Sequence, residues 1–223
     1  MFKYFLKLAF FIIKRRLDTF LLKHNIIRMY LANFISATRI FLSPLFFLLY
    51  FRPSYFFISS KQAILILAPL FIALQFTDFL DGFIARKFHI VSDFGKLFDP
   101  FCDVILNIVV LFSFTLDGLL PPMFFLVILY REFFILFVRL LAMKKGLVIG
   151  AKMLGKIKTV LYILVGGIGL AFKISSIYEF DNILKPLHIA NTLLYSSATF
   201  FSILSFSFYL KDYLKFSKEH HPI

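Results

Sequence analysis

Six long apolar runs, separated by short polar or basic connections, constrain this chain more than any other feature. Hydropathy places them near residues 32–51, 62–87, 96–116, 120–144, 153–174 and 188–210. A helix needs about 20 residues to cross a hydrocarbon layer. A segment in lipid must also satisfy its own backbone hydrogen bonds, so runs of this length are expected to be helices. The chain is 61% hydrophobic, whereas apolar residues make up about half of a soluble domain, and its mean hydropathy is +0.88. An ordinary soluble domain is excluded. The expectation is an all-α membrane protein with six transmembrane helices, Arg52-Pro53-Ser54 and Leu120-Pro121-Pro122 marking two of the turns.

Charge orients the runs. The N-terminus, the 86–96 and 144–158 linkers and the segment after 210 carry 7, 3, 5 and 3 Lys and Arg residues, while the alternate connections hold only Arg52, Lys61, Lys173 and Lys185. The positive-inside rule then places both termini in the cytoplasm of a multi-pass protein of the cell (inner) membrane. A net charge of +13 could suit nucleic acid. Because the basic residues flank apolar spans, anionic lipid head groups are the better match and no nucleic-acid partner is expected. Residues 1–29 alternate basic and aromatic side chains and contain no small-residue cleavage site. They read as an amphipathic interfacial helix, since residues 4–13 are too few to span. The expected organisation is this extension over 1–29, a six-helix domain over 30–212 and a cytoplasmic tail over 213–223. The single cysteine, Cys102, excludes an intramolecular disulfide.

Four carboxylates break the apolar pattern within Asp78–Asp103, DFLDGFIARKFHIVSDFGKLFDPFCD. At 100° per residue Asp78, Asp81, Gly82 and Ala85 share one helix face, and Asp99 and Asp103 share a face of the next helix. A short linker makes the two helices antiparallel neighbours, so the carboxylate faces can meet. Acidic groups at membrane depth are costly and mark a functional site. Clustered together, they call for hard divalent cations with oxygen ligands.

These residues fill the pattern D-x2-D-G-x2-A-R-x8-G-x3-D-x3-D at every fixed position, Asp78, Asp81, Gly82, Ala85, Arg86, Gly95, Asp99 and Asp103. In this the chain resembles the CDP-alcohol phosphotransferases. The resemblance implies Asp78, Asp81, Asp99 and Asp103 as ligands of two Mg²⁺ or Mn²⁺ ions, with Asp103 also the general base. It implies that Asp78, Gly82, Ala85, Arg86 and Gly95 line the CDP site, and that the protein is a homodimer. Close packing through small residues would equally explain Gly82 and Ala85. The segment Asn33–Pro44 resembles the N-x2-T-x2-R-x4-P segment of the family's phosphatidylglycerophosphate synthase branch. Asn33, Arg39 and Pro44 match and Ser36 replaces Thr; alone, Arg39 also reads as an interfacial arginine at a span end.

A second polar group, Arg131, Glu132 and Arg139, lies inside the fourth run. Glu132 and Arg139, seven apart, share a face and could form a structural pair. Arg131 and Arg139 with Lys152, Lys156 and Lys158 could instead bind a phosphate. The run 131–159 resembles the R-E-x6-R … G-K-x-K-T region of the same branch, which implies transfer from CDP-diacylglycerol to sn-glycerol 3-phosphate. Arg131, Arg139, Lys152 and Lys156 would hold the acceptor phosphate, with Asn33, Arg39 and Glu132 in support. Val104 and Cys102 depart from the pattern, standing where many relatives have Lys and Ala; the missing Lys bears on the acceptor. The alternatives are the same chemistry with inositol phosphate, serine or choline, and a cation transporter using the acidic cluster. No internal repeat supports the transporter.

Overall fold

The computed structural model describes residues 33–87, 93–144 and 153–220, with the side chains of 78–87, 93–94, 96, 154 and 215–220 excepted. The interfacial helix expected over 1–29 therefore lies outside the described residues. Among the described residues six α-helices follow in order: α1 (Asn33–Phe51), α2 (Ser60–Lys87), α3 (Asp93–Leu116), α4 (Pro122–Lys144), α5 (Met153–Ile177) and α6 (Asp181–His220). There is no strand among the described residues.

Local sequence sets the ends. Ser59 and Gln62 form a reciprocal capping box before α2, Ser59 N–H donating to Gln62 Oε1 (2.9 Å) and Gln62 N–H to Ser59 Oγ (3.3 Å). A one-turn 3₁₀ segment, Pro53–Phe56, fills the α1–α2 connection. Helix α3 stops at Gly118, whose φ of 76° allows Leu119 N–H to reach back to the Phe114 carbonyl and Gly118 N–H to that of Thr115. Pro122 then opens α4 at the position where a missing N–H costs nothing.

Among the described residues five stretches are long and apolar enough to cross a membrane: Asn33–Phe51, Ser60–Thr77, Leu97–Leu116, Gly155–Ile177 and Asp181–Leu214. Helix α4 matches them in length but carries Arg131, Glu132 and Arg139 at its centre. It turns Arg131 and Glu132 inward, where they are 6% and 2% exposed, so the charges are met by protein and not by lipid. The expected six-helix bundle is present, and the protein is a multi-pass membrane protein. Phe41, Phe133, Phe137 and Phe200 stay exposed on its outside, which suits a hydrocarbon solvent.

Helices α5 and α6 make the most extensive contact; α6 also packs on α4, α4 on α3, and α2 and α3 both lean on α5. Helix α1 joins α2 and α3 through aromatic contacts, Phe46 with Phe71 and Phe47 with Phe112. One end of the bundle is filled by a cluster that includes Phe46, Tyr50, Phe71, Phe114, Phe125 and Tyr195. The rings of Phe71 and Phe114 lie directly on the α5 backbone at Gly166 and Gly169. A Cβ on Gly169 would come within 2.7 Å of Phe114 Cε2, so only glycine permits this approach. Near the same end, Asp117 accepts from Tyr50 OH (2.7 Å) and Lys173 Nζ (2.9 Å). The opposite end holds the polar residues.

Helix α6 departs from its expected limits. It begins at Asp181 instead of 188 and remains helical to His220, through the start of the segment expected as a tail. Hydropathy marks where lipid ends, whereas a helix stops only where capping or competing contacts end it.

Candidate active site

Asp99, Asp103 and Asn107 occupy successive turns of α3 on one face. Behind the two carboxylates stands Arg39 of α1, which is fully buried while the Asp99 and Asp103 side chains are 37% and 30% exposed. Arg39 Nη2 donates to Asp99 Oδ1 at 2.5 Å and Nη1 donates to Asp103 Oδ1. Ser36, one turn before Arg39, adds a bond from Oγ to Asp99 Oδ1 at 3.1 Å. The short segment Ser36–Arg39 is thus part of the carboxylate site, and Arg39 is not an interfacial residue.

The basic wall comes from α4, α5 and α6. Glu132 accepts hydrogen bonds from Arg131 Nη1 (2.9 Å), Lys158 Nζ (2.6 Å) and Tyr162 OH (3.1 Å). Arg131 reaches α6 as well, with Nε on the Ser202 carbonyl and Nη2 on Ser205 Oγ, both at 3.0 Å. Arg131 and Glu132 are therefore a brace between helices. The anticipated Glu132–Arg139 pair does not form. Seven residues along a helix are about 10 Å apart, and Lys158 lies closer than Arg139 can reach.

Arg139 is held instead by Tyr209, donating from Nη2 to the phenol oxygen (3.2 Å) with the guanidinium 5.5 Å over the ring. Among the described residues its buried Nε has no hydrogen-bond partner, and neither Arg139 nor Lys156 has an ion-pair partner. A buried N–H donor left open is costly and calls for a ligand or water.

Both walls face one cavity of about 260 Å³. It is lined by Asp99, Asp103, Val104 and Asn107 of α3, by Arg131, Glu132 and Arg139 of α4, by Gly155, Lys156, Lys158 and Thr159 of α5, and by Tyr209 of α6. Of the residues anticipated from sequence, the structure thus brings together Arg39, Asp99, Asp103, Arg131, Glu132, Arg139 and Lys156. Asp78, Asp81, Gly82, Ala85 and Arg86 lie in the helical stretch of α2, but their side chains, and all of Lys152, lie outside the described residues. Gly95 sits in the first turn of α3. Val104 lines the cavity and Cys102 is fully buried.

The donor set suits a hard divalent cation. Asp99 and Asp103 present only carboxylate oxygens, one turn apart and open to the cavity. Among the described residues no three His, Cys, Asp or Glu side chains form a complete metal site, so a cation held here would need further ligands from beyond them. Tyr162, Ser202, Ser205 and Tyr209 were not anticipated. Ser202, Ser205 and Tyr209 do fall on one helix face, at positions i, i+3 and i+7, and that polar stripe was the available signal.

Over residues 29–210 the sequence matches the family described as CDP-alcohol phosphatidyltransferase. A Treponema pallidum (strain Nichols) protein named CDP-diacylglycerol–glycerol-3-phosphate 3-phosphatidyltransferase is 36% identical over 200 residues, covering 85% of this chain and 92% of that one. A Bacillus subtilis (strain 168) protein of the same name is 38% identical over 135 residues, covering 58% of this chain and 70% of its own. A Mycoplasma pneumoniae protein, again of that name, is 34% identical over 155 residues, or 66% and 65% of the two chains.

Proposed function

We propose that this chain, which belongs to the CDP-alcohol phosphatidyltransferase family, transfers a phosphatidyl group from CDP-diacylglycerol to sn-glycerol 3-phosphate. The products are phosphatidylglycerol phosphate and CMP. The observation that carries this reading is one cavity with carboxylates on α3 and, on α4 and α5, the cations Arg139 and Lys156, which pair with no carboxylate among the described residues. Inositol and choline carry no anionic group to match Arg139 and Lys156, and serine offers only a singly charged carboxylate beside its own ammonium, whereas a phosphate monoester brings nearly two negative charges.

In this reading the hydroxyl oxygen of glycerol 3-phosphate attacks the β-phosphorus of CDP-diacylglycerol. The phosphorus–oxygen bond to CMP breaks, and Asp103 takes the hydroxyl proton. Two Mg²⁺ or Mn²⁺ ions held by Asp78, Asp81, Asp99 and Asp103 would neutralise the pyrophosphate and the leaving group. Gly82, Ala85, Arg86 and Gly95, with Asp78, form the CDP site. Arg139 and Lys156 bind the acceptor phosphate, with Lys152 beside them. Arg131 lines the same wall from behind, braced to α6 and Glu132. Tyr209 sets the direction of Arg139.

The cavity faces the cytoplasm of the cell membrane in this account, because it lies where α3 and α5 begin and α4 ends, the ends that the Lys- and Arg-rich linkers 86–96 and 144–158 join in sequence. Both termini share that side, residues 1–29 lie on the anionic leaflet and 213–223 form the tail, and the working unit is a homodimer. The test is CMP release by purified protein in mixed micelles of CDP-diacylglycerol. Release should require both glycerol 3-phosphate and a divalent cation, stop on chelation and return with Mg²⁺ or Mn²⁺. Release without any acceptor, or insensitive to chelation, would contradict the assignment.

A further inference from the structure

We infer that Arg39 is a resident counter-cation of the carboxylate site. It holds Asp99 and Asp103 together when divalent ions are absent, and its fixed charge keeps metal affinity below that of the bare carboxylates. The inference rests on the metal-dependent reading above.

Three observations carry it. First, Arg39 is fully buried, and a guanidinium cannot shed its proton at any relevant pH. A buried charge of this kind persists only with partners of opposite sign. Second, its two terminal nitrogens each take one carboxylate, Nη2 on Asp99 and Nη1 on Asp103. The guanidinium therefore bridges the same two groups that a shared ion would bridge. Third, the burial is one-sided: the carboxylates are about a third open to the cavity while Arg39 is closed off behind them. An ion entering from the cavity meets carboxylates already partly neutralised from the protein side, and Arg39 need not leave to admit it.

The bridge also spans 60 and 64 residues of sequence, tying α1 to α3. Asp99 and Asp103 thus keep their spacing in the metal-free protein, where they would otherwise repel. The opposing effect is loss of this pre-organisation when Arg39 is removed, which by itself would weaken metal binding. A unit positive charge one carboxylate away from a divalent ion repels it more strongly than the loss of one side-chain restraint costs. Removing the charge should accordingly tighten binding.

The test uses full-length protein in detergent without CDP-diacylglycerol. Mn²⁺ binding is read from the EPR signal of the free ion, and thermal stability is read in EDTA and in saturating Mn²⁺. Arg39→Gln should bind Mn²⁺ about tenfold or more tightly than the wild type. It should also lose stability in EDTA and regain most of it in Mn²⁺. Arg39→Lys keeps the charge but not the fork, so its affinity should stay within about threefold of the wild type while its stability in EDTA falls. Unchanged or weaker Mn²⁺ binding by Arg39→Gln would overturn the inference, as would equal instability with and without Mn²⁺ or failure to fold even in saturating Mn²⁺. Each would make Arg39 a structural brace only. If the wild type itself binds no Mn²⁺, and resembles Asp99→Asn in this, the metal-dependent reading is what has failed.

Discussion

Replacing Arg139 by alanine probes the half of the cavity that sets the acceptor. Arg139 is half-buried, donates one hydrogen bond to the Tyr209 hydroxyl, stacks over its ring and keeps a buried Nε without a partner among the described residues. It makes no ion pair with a described residue, so its removal strands no described carboxylate. Losing a buried charge-assisted contact to a ligand costs about 2–5 kcal/mol. Partial exposure places Arg139 toward the lower end, about 2–3 kcal/mol, or roughly 30- to 150-fold. The assay is CMP release in mixed micelles, varying glycerol 3-phosphate at saturating CDP-diacylglycerol and then the reverse. The loss should appear in kcat/KM for glycerol 3-phosphate, with the KM for CDP-diacylglycerol and the Tm in detergent nearly unchanged. Tyr209→Phe keeps the ring and removes the hydrogen bond that the Arg139 guanidinium donates, so a loss of about 1.5 kcal/mol, roughly tenfold, should fall on the same parameter. Equal damage to both substrates' kcat/KM, or a large fall in Tm, would refute the argument and make Arg139 part of the bundle's scaffold.

Three further outcomes follow from the same geometry. Asp99→Asn and Asp103→Asn should each reduce CMP release by several orders of magnitude in protein that still runs as a folded species on size exclusion, because each removes a charged oxygen donor from the reacting end of the cavity. Glu132→Gln keeps the shape but leaves Arg131 and Lys158 buried without their shared carboxylate; it should cost about 3–5 kcal/mol of stability, seen as a lower Tm in detergent. Gly169→Ala should lower Tm, since its Cβ would drive into the Phe114 ring and overpacking costs about 1–3 kcal/mol, whereas Gly167→Ala meets nothing within 4 Å and should be neutral or slightly stabilising.

How far the sequence carries the account depends on the residue. The α3 stripe was legible because Asp99 and Asp103 are one helical turn apart, and helical periodicity alone places them on one face. Six helices were legible from apolar run length, including α4, whose charges are turned inward where a bundle can pair them. Arg39 was harder. A lone arginine near the start of a span reads as interfacial, and only the approach of α3, sixty residues later, buries it. Glu132 shows the same limit: local spacing offered Arg139 as its partner, but tertiary packing supplied Lys158 and Tyr162 from α5. The α6 contribution was masked by chemistry common to membrane helices. Ser196 and Ser207 bond to carbonyls one turn back, as hydroxyls in helices often do. Only the shared face of Ser202, Ser205 and Tyr209 separates them from Ser205, which serves Arg131.

The central claim is that the cavity joins a phosphatidyl-transfer site to a seat for a phosphorylated acceptor. The most direct measurement is the acceptor selectivity of the wild-type protein. It compares kcat/KM for CMP release with sn-glycerol 3-phosphate, glycerol, serine, inositol and inositol phosphate at saturating CDP-diacylglycerol and Mg²⁺. The account expects glycerol 3-phosphate to lead, and to exceed free glycerol by about a thousandfold, since two charge-assisted contacts of about 2 kcal/mol each are lost with the phosphate. Turnover of free serine or inositol at a rate equal to or above that of glycerol 3-phosphate would contradict it.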